Sequence, residues 1–111
     1  IDKEINSFYV IEHDHNIIGT VALYHFKDII EIASFAIHDK YKNLGYGKKL
    51  LKFCEQTALA KKIKNLFILT TQSEHWFIEN NFKLSDKKIM PDERKKTYTS
   101  ERNSKYFTKR L

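Results

Sequence analysis

Hydrophobic positions come in short runs along the first third of the chain and at helical spacing after it. Ser7 to His13 is rich in β-formers, Asp14-His15-Asn16 is a turn cluster, and Ile17 to Phe26 is a second β-forming run, which together predict an antiparallel hairpin. A third run, Ile29 to His38, alternates less cleanly, as a central strand covered on both faces does. From Gly47 to Lys62, Leu50, Leu51, Cys54 and Ala58 recur at helical spacing, with Lys48, Lys49, Lys52, Glu55 and Lys61 largely opposite. Leu66 to Thr71 is a short apolar run after that helix, so a parallel crossover beside Ile29 to His38 is expected. Gln72 to Asn81 reads as a short helix anchored by Trp76 and Phe77, and Phe82 to Ser85 as a strand. Pro91 opens a helix through Tyr98, and Asn103 to Leu111 closes the pattern as a terminal strand.

Length and composition narrow this picture. A chain of 111 residues with 41% hydrophobic content can bury one core, so a single domain over residues 1–111 is expected. The lone Cys54 excludes an internal disulfide and falls on the apolar helix face, which fits a reducing, cytoplasmic setting. No apolar run reaches the roughly 20 residues that span a bilayer, and Ile1-Asp2-Lys3-Glu4 carries no leader pattern, so neither membrane nor targeting is expected. The net charge of +6 comes mostly from dispersed lysines, apart from Lys87-Lys88 and Arg94-Lys95-Lys96. Nucleic-acid binding calls for a basic stripe with stacking aromatics, and none is present. Five scattered histidines and one cysteine make no metal site.

The candidate chemistry sits where the third strand runs into the helix. Two of the three glycines, Gly45 and Gly47, lie at that junction, where backbone amides can point at an anion without side-chain obstruction. Lys48 or Lys49 can add an ion pair. This is a cradle for a pyrophosphate; the alternative is an ordinary glycine turn among solvated lysines.

Strand, loop, amphipathic helix and strand in this order, with Lys42-Asn43-Leu44-Gly45-Tyr46-Gly47 at the loop, resemble the GCN5-related N-acetyltransferase (GNAT) family. The family's first loop position is arginine or glutamine; here it is lysine. Glu31 to His38, Leu66 to Thr71, His75-Trp76-Phe77, Asn81-Phe82 and Arg102-Asn103-Ser104-Lys105 further resemble the acetyltransferase domain of bacterial N-acetylglutamate synthases, over nearly the whole chain. The resemblance implies the GNAT α/β (α+β) fold, a mixed and mostly antiparallel central sheet flanked by helices. The strand and helices that usually precede the hairpin, and the kinase-like domain of long synthases, are expected to be missing.

The resemblance also implies an enzyme that transfers acetyl from acetyl-CoA to the α-amine of L-glutamate, in arginine biosynthesis. It assigns Phe35, Ala36 and Ile37 to the pantetheine arm and Lys42, Asn43, Leu44, Gly45, Tyr46, Gly47 and Lys48 to the pyrophosphate. Glu31 takes the amine proton, or is a strand-edge charge facing solvent or a lysine. Either Tyr98 or Thr70 protonates the departing thiolate, and each also has an ordinary structural role open to it. Arg102 and Ser104 hold the glutamate carboxylates. Two other readings stay open: acetylation of another small amine or a protein N-terminus, and a CoA-binding module without catalysis. An incomplete domain can also complete its sheet with a second copy, as a homodimer.

Overall fold

The computed structural model describes residues 7–96 and 104–111. It contains strands β1 (Ser7–His13), β2 (Asn16–Phe26) and β3 (Ile29–Ile37), helix α1 (Tyr46–Ala60), strand β4 (Asn65–Thr70), helix α2 (Glu74–Glu79), strand β5 (Lys83–Leu84), helix α3 (Asp92–Lys95) and strand β6 (Lys105–Arg110). The strands form one six-stranded sheet in the order β1-β2-β3-β4-β6-β5. Only β3 and β4 run parallel; every other neighbour is antiparallel. The expected mixed, mostly antiparallel GNAT-type sheet is therefore present.

Local chemistry explains the first half. Asp14 and His15 both take positive φ (51° and 68°), which makes a tight two-residue turn with the twist that a hairpin requires. Leu50, Leu51, Cys54 and Ala58 of α1 are buried against Val21, Leu23, Ile30, Ile32, Leu66 and Ile68. The opposite sheet face carries a second cluster of Phe26, Phe67, Met90 and Tyr106, covered by the segment that leads to α3. Phe67 alternates with Leu66 and Ile68, so β4 feeds both clusters.

Three expectations need correction. β3 is covered on both faces only at Ile30–Ile32; beyond Ser34 its residues are exposed or half-buried. β5 shrinks from four residues to Lys83–Leu84, because Phe82 leaves the strand to enter the core. α3 ends at Lys95, short of the expected helix to Tyr98, and Tyr98 lies outside the described residues. No helix among the described residues is long and apolar enough to cross a membrane.

Candidate active site

The site begins with a bulge. Ala33 pairs with Ala22 and Ala36 with Thr20, so β3 uses three steps where β2 uses two. Ser34 absorbs the extra residue at φ 51°, and the Thr20 hydroxyl donates to its carbonyl at 3.3 Å. A bulge bends its strand. β3 accordingly registers with β4 only at Ile30↔Leu66 and Glu31↔Phe67. Past that rung the two strands part, and among the described residues no strand pairs with Phe35–Ile37 on the β4 side. Backbone donors and acceptors of Phe35–Ile37 therefore lie along an edge that no described strand takes up, at the opening between β3 and β4 (hereafter the cleft).

The cleft leads to the amino end of α1. Asn43 (φ 64°) and Gly45 (φ 89°) are both left-handed, and they turn the chain from β3 into the helix. The first intrahelical bond runs from Lys49 N–H to the Gly45 carbonyl at 3.2 Å, so the amides of Tyr46, Gly47 and Lys48 precede it. Gly45 offers no capping side chain, and the first turn holds no acidic residue. Lys48 and Lys49 are exposed there, with Lys49 5.6 Å from the Tyr46 ring centroid. Lys42 pairs with Asp39 at 3.1 Å. An oriented helix dipole, amides ahead of the helical ladder and local lysines fit a phosphate group.

The two loop glycines serve different purposes. A Cβ on Gly45 would meet nothing within 4 Å, so glycine is needed there for its positive φ. A Cβ on Gly47 would come to 3.1 Å from Trp76 Cζ2, so there the missing side chain lets the indole ring approach the first turn of α1 closely.

The remaining candidates are spread out. Glu31 is buried on the last paired rung, and Arg94 Nε bonds its Oε1 at 2.7 Å across 63 residues of chain. It is buried rather than facing solvent, and the ion pair seen among the described residues is with arginine. Burial, followed by the charge of Glu31, raises the nearby Tyr106 hydroxyl above its ordinary value. The Thr70 hydroxyl is engaged in its own turn: it accepts from Gln72 N–H at 3.1 Å and donates to the Gln72 carbonyl. Ser104 is buried just before β6, and Lys105 ties that strand to Glu74 of α2 at 3.2 Å. Tyr98 and Arg102 lie outside the described residues. His75 points outward and pairs with Glu79 at 3.1 Å. The residues missed from sequence are Arg94 and the bulged Ser34. The basic run after Pro91 was a signal for the first, and nothing local marks the second.

The Acetyltransferase (GNAT) family profile matches residues 1–78. An amino-acid acetyltransferase from Buchnera aphidicola subsp. Acyrthosiphon pisum is 41% identical over 107 residues, covering 95% of this chain and 24% of that protein. One from Pseudomonas fluorescens is 39% identical over 113 residues, covering 100% and 26%. The solved structure of N-acetylglutamate synthase from Neisseria gonorrhoeae, complexed with coenzyme A and N-acetyl-glutamate, has a TM-score of 0.88 at 36% identity. It covers 94% of this chain and 25% of that one. The chain thus spans about a quarter of the length of these relatives.

Proposed function

This chain belongs to the GNAT acetyltransferase family, and on that premise we propose that it is an acetyl-CoA-dependent N-acetyltransferase acting on the α-amine of L-glutamate, in arginine biosynthesis in a reducing cytoplasm. The observation that carries the reading is that β3 leaves its pairing with β4 after Glu31, bulges at Ser34 and runs through a left-handed turn into the amino end of α1. The relatives named above make amino-acid acetylation and glutamate the favoured choices.

Acetyl-CoA supplies an activated thioester; the chain has to bind it, orient it and manage protons. In this reading the amides of Tyr46, Gly47 and Lys48 face the pyrophosphate, with Lys42, Asn43, Leu44 and Gly45 shaping the turn. The backbone of Phe35, Ala36 and Ile37 bonds the pantetheine amides along the edge that β4 leaves. The acceptor amine must lose a proton to become nucleophilic, and Glu31, at the floor of the cleft, takes it directly or through water. Tyr98 or Thr70 returns a proton to the departing thiolate. The bonds of Thr70 to Gln72 weigh towards Tyr98. Arg102 and Ser104 hold the carboxylates of glutamate by charge-assisted bonds.

The Glu31–Arg94 pair favours a second reading, a domain that binds acetyl-CoA without turnover, because Glu31 already has a strong partner. Thiol release from acetyl-CoA against a panel of amino acids separates the two. Turnover is expected with glutamate and not with uncharged amino acids, falling about 100-fold in Arg102→Ala and in Glu31→Gln. Equal rates for wild type and Arg102→Ala on glutamate would discard the carboxylate clamp. CoA binding without thiol release for any amine would establish the second reading.

A further inference from the structure

Trp76, the single tryptophan of the chain, touches separate parts of the cleft. Its six-membered ring lies against Gly47 in the first turn of α1: a Cβ there would stand 3.1 Å from Cζ2 and 3.7 Å from Cε2 and Cη2. Its ring also meets Phe35 at a centroid distance of 5.5 Å. Phe77, its neighbour on α2, meets both rings, at 4.9 Å from Trp76 and 5.6 Å from Phe35. Phe35 follows the left-handed Ser34, on the part of β3 that has left β4. α2 follows the end of β4. The ring therefore sits between the outer part of β3, α2 and the first turn of α1, and touches all three.

Core formation alone does not demand this ring. Trp76 is half-buried and packs at the margin of the cluster, whereas Phe77 and Phe82 are fully part of it. An aromatic ring with two side-chain torsions fills a fixed gap with little loss of conformational freedom. The two segments it contacts are the ones that a single long ligand has to reach together.

We propose that Trp76 is a positioning residue that acts through Gly47 and Phe35. It holds the anion-binding end of α1 and the edge of β3 that β4 leaves at the spacing of one ligand that carries both a pyrophosphate and an extended amide arm. This rests on the acetyl-CoA reading above and extends it to a residue outside both binding segments.

The test compares coenzyme A with its two halves, 3′-phospho-ADP and pantetheine, by calorimetric titration of wild type, Trp76→Leu and Trp76→Phe. Joined halves gain from their linkage only when both subsites stand at the right spacing. Trp76→Leu is expected to weaken coenzyme A by about tenfold or more while changing each half by less than about twofold, and Trp76→Phe to recover most of the loss. Equal losses for the whole and the halves, or unchanged coenzyme A affinity, overturn the positioning role. If wild type binds no coenzyme A, the acetyl-CoA reading falls and the proposal falls with it. Should Trp76→Leu not fold, Gly47→Ala presses on the ring from the other side. Its coenzyme A affinity should drop and return in Gly47→Ala/Trp76→Phe, and an unchanged affinity in Gly47→Ala overturns the proposal.

Discussion

The two ends of the cleft are built from different materials. At the α1 end the chain offers backbone: strand edge, left-handed turn and helix amides, all within residues 35–48. At the β3 floor it offers side chains joined from afar, with Glu31 bonded to Arg94 across 63 residues. A backbone site tolerates changes of side chain and fails when its dihedrals change. A side-chain site behaves in the opposite way, because each buried charge there depends on its partner.

The largest expected effect is at the floor. Arg94→Ala leaves Glu31 buried without its guanidinium and should cost about 3–5 kcal/mol in urea unfolding. Arg94→Ala/Glu31→Gln should recover most of it, since the buried charge is then gone. A loss below about 1 kcal/mol in the single variant would mean that the pair is solvated like a surface bridge and would erase the contrast.

At the other end, Gly45→Val should cost about 1–2 kcal/mol, because a β-branched residue resists φ 89°, whereas Gly45→Asn should cost much less. Equal losses for the two would point to crowding rather than conformation, against the open space around Gly45.

A smaller effect comes from pH and separates the two faces of the sheet. Burial pushes the Cys54 thiol beneath α1 up to about 12 from 9.0, with the Glu55 charge adding to the rise. The unfolded thiol ionises first as pH rises, so this contribution is complete below about 9 and is lost towards about 12. Stability should fall by about 1 kcal/mol between pH 8 and pH 10, a slope that Cys54→Ala removes. Tyr106, on the opposite face, carries the same sign but acts only above pH 10.

Elements set by local spacing could be read from the chain directly. The α1 stripe of Leu50, Leu51, Cys54 and Ala58, the Asp14-His15 turn with its hairpin, and the parallel crossover from β3 to β4 appear where hydrophobic period and turn chemistry place them, whereas the insertion of β6 between β4 and β5 had no local signal. The turn before α1 belongs to the same class, since a glycine between strand and helix signals marks the position that takes φ 89°. The β5 boundary and the burial of β3 could not be read in this way, because both depend on what packs across the sheet.

Sequence by itself determined the cofactor half of this protein: a strand, a left-handed turn and an amphipathic helix specified by neighbouring residues, whose energetics are local. Tertiary structure alone decided the opening of the cleft at Ser34, the pairing of Glu31 with Arg94 and the seat of Trp76 on Gly47. The physical reason is that strain in a strand, burial of a charge and contact with an absent side chain are properties of pairs of segments. No window along one segment contains them.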